Sequence, residues 1–115
     1  MNFEEIKLKI TKFVQDELYT LEPWILNCKW NEKLPKLNKL RDKVKAQDLW
    51  LPQIPKAYGG LGLTNSQHGE ISEILGASPY GHYVFNCQAP DAGNMEILIE
   101  FGTKEQKIKY LEPLL

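Results

Sequence analysis

The sequence has little cysteine and almost no surplus of charge, and both absences exclude classes of protein. Cys28 and Cys87 are too few for a disulfide framework and form no Cys-x-x-Cys pair of the kind found in zinc ribbons and redox motifs. This cysteine usage is typical of a reduced, intracellular protein. Fourteen basic and fifteen acidic residues give a net charge of −1. Because nucleic-acid-binding domains usually carry a basic excess, we expect no nucleic-acid partner.

Long apolar runs and strand-like alternation are also missing. The longest window without a charged residue covers residues 74–90, and its two glycines and two prolines exclude a membrane-spanning helix. The first ten residues carry Glu4 and Glu5 and lack the apolar core of a secretion signal. No repeat or low-complexity tract divides the 115 residues, so we expect one domain over residues 1–115.

What the sequence does contain is apolar residues at helical spacing, which predict an all-α fold of about five or six helices. The predicted helices cover residues 2–19, 35–47, 65–75, 78–88, 91–101 and 104–111. The predicted core residues on them are Phe3, Ile6, Ile10, Phe13, Leu37, Leu40, Val44, Ile71, Ile74, Leu98 and Leu111. A loop rich in glycine and proline covers residues 51–64.

Capping and breaking residues set the predicted helix ends. Thr64 with Gln67 has the pattern of a capping box, and the pattern recurs at residues 103–106. Proline lacks the N–H that continues a helix. Pro23 is therefore predicted to end the first helix, and Pro35 to lie in the first turn of the second.

Few residues offer chemistry. Gly59, Gly60 and Gly62 resemble a phosphate-binding loop, but no Lys-Ser/Thr follows and no strand precedes them, which favours a tight turn with positive φ. His68 and His82 lie on different predicted helices, and no spacing supplies further metal ligands. We interpret His68 as a surface residue and His82 as buried or pocket-lining. The residues themselves thus predict no catalytic site, no cofactor site and no metal site.

A basic stretch, residues 29–45, holds seven of the fourteen basic residues. One interpretation is a patch that binds a polyanion. Glu32 and Asp42 dilute the charge, so a solvated helix face is the favoured interpretation.

The charge-free window, residues 74–90, is the most informative segment. It places aromatic and aliphatic side chains beside the neutral polar Asn86 and Gln88. One interpretation is a helix buried in the core or under a partner domain. The other is the wall of an apolar ligand cavity, which needs apolar area with a few uncharged polar groups. The residues leave both open.

Two stretches together resemble the N-terminal helical domain of the acyl-CoA dehydrogenases. The first lies in residues 49–63 and contains Tyr-Gly-Gly-Leu-Gly from Tyr58 to Gly62. The second is Gly-Thr-Lys-Glu-Gln-Lys at residues 102–107, which leads to Tyr110 and Leu111. Between them, residues 84–91 and 93–96 are similar to the long-chain subgroup that includes animal family members ten and eleven.

The resemblance implies a larger enzyme. Family members add a β-domain, with a Thr-Glu-Pro motif and most flavin contacts, and a C-terminal four-helix bundle with the catalytic glutamate. Residues 1–115 would then be the orthogonal N-terminal helical domain alone, a fragment without the catalytic base and the main FAD site. We expect FAD in the full-length enzyme and none in this fragment, which we expect to be inactive.

The resemblance also implies a substrate-binding role, since this domain helps to close the acyl pocket in the family. By local match, the residues on its pocket-lining helix are Val84, Phe85, Gln88 and Ala92, with Tyr83 and Cys87 beside them. We expect this face to be exposed in a chain without the other domains. Because a contiguous apolar patch rarely stays free, it should drive self-association.

The expected reaction converts an acyl-CoA to a trans-2-enoyl-CoA, with loss of an α-proton and transfer of a β-hydride to flavin N5. The expected partners are the acyl-CoA substrate and an electron-transfer flavoprotein or oxygen, and we expect a homo-oligomer. The family occurs in the mitochondrial matrix, the peroxisome and the bacterial cytoplasm. The alternative is a free-standing helical module that binds an acyl chain or docks on a partner protein.

Overall fold

The computed structural model describes all 115 residues, and all its regular structure is helical. α1 (Phe3–Phe13), a π-helical stretch (Val14–Leu18) and α2 (Tyr19–Ile25) form one unbroken rod. α3 covers Trp30–Ala46, α4 covers Asn65–Leu75, α5 covers Gly81–Val84 and α6 covers Asp91–Phe101. α7 (Lys104–Gln106) continues into a π-helical stretch, Lys107–Leu111. These six rods confirm the predicted all-α class. None of the helices combines the length and the apolar character that crossing a bilayer requires.

The first rod is longer than predicted. Pro23 was expected to end it, but this residue lies inside α2, two positions before the last residue, Ile25. Its missing N–H removes one backbone bond, while the Leu26 N–H still donates to the Glu22 carbonyl at 3.1 Å. The rod therefore continues past Pro23 to Ile25.

α3 begins at Trp30, five residues before its predicted start, and Pro35 lies inside the helix rather than in its first turn. The backbone N–H of Lys29 donates to Glu32 Oε2 at 2.9 Å and closes the first turn. The Lys29 side chain accepts no hydrogen bond, so the usual cap signal is missing from the sequence. The prediction that Pro35 lies in the first turn of α3 was therefore wrong.

α4 lies where it was predicted, because its cap is built as expected. The Gln67 N–H donates to Thr64 Oγ1 at 3.2 Å, and the Thr64 N–H donates to Gln67 Oε1 at 3.0 Å.

α5, in contrast, is much shorter than the predicted helix over 78–88. Asn86 has a φ of 56° just after it, and this left-handed conformation stops the helix.

One large core holds the first rod, α3, α4 and α5 together. Its buried side chains are Ile6, Ile10, Phe13, Val14, Leu18, Ile25, Leu37, Leu40, Val44, Leu49, Ile71, Leu75, Val84, Phe85 and Cys87. A smaller cluster of Leu51, Ile54, Met95 and Leu111 joins the loop to α6 and the last helix. Of the predicted core residues, Phe3, Ile74 and Leu98 are only half-buried.

The Gly/Pro loop is an ordered turn, as the sequence predicted. Gly59 and Gly62 have φ values of 86° and 65°, which favour glycine. At Gly60 the reason is space, because a Cβ there would overlap the carbonyl oxygen of Ile54.

The C-terminus is tied to the middle of the chain by two side chains. Trp50 Nε1 donates to the Leu115 carbonyl at 3.0 Å. Asn86 Nδ2 donates to the Leu114 carbonyl at 2.9 Å. The last residues therefore lie against both the loop and the segment after α5.

Candidate functional site

The predicted pocket residues lie at the end of α5, in the link that follows it and in the first turn of α6, and two of them lie in the core. Val84 and Phe85 are both 0% exposed. The Phe85 ring packs edge-on against the Phe13 ring, with 5.4 Å between the ring centres. The backbone carbonyl of Phe85 accepts a hydrogen bond from the Leu51 N–H at 3.3 Å. The expectation that this face is exposed is therefore wrong for Val84 and Phe85. The apolar surroundings that the charge-free window requires are supplied by the domain's own core.

Gln88 and Ala92 are the two predicted pocket residues that reach the surface. Both are half-buried, and the Ala92 N–H donates to the Gln88 carbonyl at 2.9 Å. This bond holds them together where the chain enters α6. None of the four surface grooves is lined by any of the four predicted pocket residues.

Tyr83 and Cys87, which lie beside the predicted pocket residues, are held by contacts within the domain. Arg41 Nη1 donates to the Tyr83 carbonyl at 2.6 Å, and the Arg41 guanidinium lies 4.7 Å from the centre of the Tyr83 ring. The Cys87 thiol is buried and contacts the His82 carbonyl at 3.6 Å. Burial raises the pKa of Cys87 to about 12, so the thiol stays protonated near neutral pH and is a poor nucleophile.

Both histidines are half-buried, so His68 is less exposed than the sequence suggested. Burial lowers the pKa of His82. Burial also lowers the pKa of His68, with a smaller contribution from His82, while Glu96 acts in the opposite direction. Nδ1 of His68 is buried without a hydrogen-bond partner. No three His, Cys, Asp or Glu side chains lie close enough together to hold a metal ion.

A second apolar surface, which the sequence reasoning missed, lies between α6 and the last helix. A groove of about 460 Å³ is lined by Asn94, Ile97, Leu98, Tyr110 and Leu114. Ile97 in this lining is 60% exposed, and the same two helices also expose Phe101 at 76% and Ile108 at 53%. The available signal was the high share of apolar residues over 95–101, five of seven positions, which do not form one narrow stripe on α6. Apolar residues on more than one side of a helix are normally covered by other parts of a protein.

The segment 84–92 offers contacts for an apolar ligand. Its one cysteine, Cys87, has a raised pKa, and Asp91 is its one charged residue. Its half-buried Gln88 and Ala92 can contact an apolar ligand, and Gln88 adds a neutral hydrogen-bonding group. The site can thus shape a cavity wall.

Comparison with known proteins matches the chain to one family over almost its whole length. The family model described as "Acyl-CoA dehydrogenase, N-terminal domain" matches residues 2–115. Acyl-CoA dehydrogenase family member 10 of Mus musculus is 38% identical over 93% of this chain and 11% of its own length. Family member 11 of Gallus gallus is 36% identical over 97% of this chain and 15% of its own length.

A solved structure supports the match in three dimensions. It comes from Mycobacterium abscessus and is assigned to the acyl-CoA dehydrogenases. It superposes with a TM-score of 0.86 at 34% identity and covers 97% of this chain, but only 31% of its own chain. The chain therefore corresponds to a small part of each relative, at 11% and 15% of the two curated proteins.

Proposed function

The chain belongs to the acyl-CoA dehydrogenase family, as its N-terminal domain, and on that premise we propose that it forms a wall of the acyl pocket in an FAD-dependent enzyme. The proposed reaction oxidises an acyl-CoA to a trans-2-enoyl-CoA. The observation that carries the proposal is the match over residues 2–115, together with the superposition at a TM-score of 0.86. When bound, FAD supplies the redox chemistry, and the protein supplies orientation and a dry cavity.

The glycine-rich loop of this domain does not fit the pyrophosphate of FAD. The Gly-rich loop is the one segment with a phosphate-loop character, but its donors are occupied. The N–H groups of Gly59, Gly60 and Gly62 donate to the carbonyls of Lys56, Pro55 and Ile54. A flavin pyrophosphate would have to displace these bonds. We therefore place the flavin contacts and the catalytic base outside residues 1–115, and we expect the purified chain to show no flavin absorbance and no dehydrogenase activity.

We assign different parts of the wall to the four predicted pocket residues. Gln88 and Ala92 reach the surface and would contact the acyl chain, with Ala92 leaving space because its side chain is small. Val84 and Phe85 are fully buried and would support the wall from behind.

The proposed partners remain acyl-CoA, with an electron-transfer flavoprotein or oxygen as electron acceptor, in a homo-oligomer. The proposed compartments are the mitochondrial matrix, the peroxisome or the bacterial cytoplasm.

A domain exchange tests the proposal. The chain would replace the corresponding 31% of the Mycobacterium abscessus protein, and dye reduction would be followed with short and long acyl-CoA substrates. We expect activity in the chimera. Ala92→Trp should narrow the pocket and reduce kcat/KM for long chains more than for short ones. Ala57→Trp, at an exposed loop position, is the matched control.

An equal loss for all chain lengths in Ala92→Trp, with Ala57→Trp unaffected, would place Ala92 in packing rather than in the pocket. Val84→Trp and Phe85→Trp are unsuitable tests, since a larger side chain in a filled core destabilises the fold itself.

The alternative function, a docking module, is favoured by the exposed groove between α6 and the last helix. It predicts that the chain binds a partner through Ile97 and Phe101 and that the chimera lacks activity. An active chimera would therefore contradict it.

A further inference from the structure

The tip where α2 turns into α3 exposes large apolar side chains. Trp24, at the end of α2, is 38% exposed, Leu26 in the turn is 56% exposed, and Trp30, the first residue of α3, is 52% exposed. The three lie within seven residues at one end of a helical hairpin. Ile25, which lies between them in the sequence, is buried, so the domain does cover one apolar side chain of this turn. The tip therefore presents apolar surface that this domain does not cover.

A row of lysines begins beside the tip. Lys36, Lys39 and Lys43 lie on one face of α3 at positions i, i+3 and i+7. They line a groove of about 310 Å³ whose apolar lining is Leu21 and Leu40.

Only part of this row is neutralised within the chain. Lys43 Nζ pairs with Glu17 at 2.8 Å. Lys36 Nζ lies 3.9 Å from the centre of the Trp24 ring, so it joins the row to the tip, and Lys39 has no ion-pair partner. Two of the three cations therefore face solvent without a carboxylate.

The charge of this region differs from that of the rest of the chain. Residues 19–45 hold seven basic and three acidic residues, whereas the other positions hold seven basic and twelve acidic residues. Of the three acidic residues, Glu32 accepts the Lys29 N–H and Glu22 is half-buried. The hairpin over residues 19–45 thus carries an excess of four positive charges on a protein with a net charge of −1. It complements an anionic surface and not a neutral one.

We infer that the α2–α3 tip docks on an anionic lipid bilayer, with Trp24, Leu26 and Trp30 in the interface and the lysine row on the headgroups. Indole side chains concentrate at the boundary between acyl chains and headgroups. Lysines beside them add attraction to anionic lipids. A tip of separate exposed apolar side chains suits a fluid medium, whereas a protein partner would have to supply a surface of matching shape.

The test is sedimentation of the full chain with phosphatidylcholine vesicles, with and without phosphatidylserine. We expect binding only with phosphatidylserine, a blue shift of the tryptophan fluorescence, and loss of binding in high salt. Lys36→Glu with Lys39→Glu should weaken binding at least about ten-fold, since each lysine near such a membrane contributes about five-fold. Lys104→Glu with Lys109→Glu makes the same charge change at exposed positions elsewhere and should leave binding within about two-fold.

The apolar part is tested by Trp24→Ala with Leu26→Ala, against Ile97→Ala with Ile108→Ala as the control pair. The tip pair should lose the binding and the control pair should keep it, with circular dichroism showing that all variants are folded. Three results overturn the inference. The first is that no vesicle retains the chain. The second is binding to an acidic peptide such as polyglutamate but to no vesicle. The third is loss of a dimer in the tip variants while vesicle binding is absent.

Discussion

Individual glycines in this chain have opposite roles, and their surroundings separate them. Gly60 leaves no room for a Cβ beside Ile54, whereas a Cβ at Gly69, in the middle of α4, would meet no atom within 4 Å. The first is required by packing, and the second lowers helix stability through the freedom of its backbone.

Gly60→Ala should therefore lower the free energy of unfolding by about 1–3 kcal/mol, as for other overpacked sites. Gly69→Ala should raise it by about 0.5–1 kcal/mol, because alanine is the better helix former. Urea titrations followed by circular dichroism measure both. A neutral effect at Gly60 would show that the loop can move away from Ile54 at no cost.

The two histidines should make stability depend on pH. Burial holds the pKa of both His68 and His82 below the ordinary value of 6.5, so the unfolded chain takes up protons more readily than the folded one. Their contribution is complete above pH 6.5 and is lost as the pH falls through the lowered pKa values. His68→Gln with His82→Gln should flatten the decline of the unfolding free energy between about pH 7 and pH 5. An unchanged slope would assign the decline to the carboxylates.

At the scale of helices, α3 is held to the rest of the domain by one buried stripe, Leu37, Leu40 and Val44. Leu40→Ala should lower the free energy of unfolding by about 2–5 kcal/mol, since the side chain is buried and its removal leaves a cavity. Leu8→Ala is the matched control, because Leu8 is 71% exposed on α1. Chemical denaturation compares the two, and similar losses would mean that α3 packs differently from the structure.

Helix ends were predictable where side chains build them. The Thr64–Gln67 pair identified α4 to the residue, because both partners accept and donate as their types require. The start of α3 was missed, since a backbone N–H and Glu32 form its first turn without a typical cap residue. The positions of Pro23 and Pro35 show that a proline inside a helix is tolerated when other contacts hold the rod.

The candidate site was only partly predictable, for a related reason. An uncharged segment indicates apolar surroundings but does not say which part of the molecule supplies them. For Val84 and Phe85 the domain's own core does so, through Phe13 among others. The sequence could assign Gln88 and Ala92 to this segment. Their exposure depends on the turn at Asn86, which only the structure shows.

For the whole molecule, the exposed apolar side chains of α6 and the last helix should govern self-association in solution. Ile97, Phe101 and Ile108 leave a large apolar area uncovered, and such areas favour association. We expect sedimentation velocity to show concentration-dependent self-association of the chain. Ile97→Ser with Phe101→Ser should reduce it, whereas Leu8→Ser, an equally exposed site on α1, should not. Association that survives the double substitution would point to another face.

The bonds from Trp50 and Asn86 to the last two residues also have a mechanical consequence. A force applied at Leu115 is not carried by the last helix alone, because Trp50 holds the terminal carbonyl and Asn86 holds the one before it. The load divides at once between the loop and the segment after α5, and so reaches both hydrophobic clusters. Pulled from this end, the domain should resist until those two bonds rupture together, and should then open in one step instead of unravelling turn by turn.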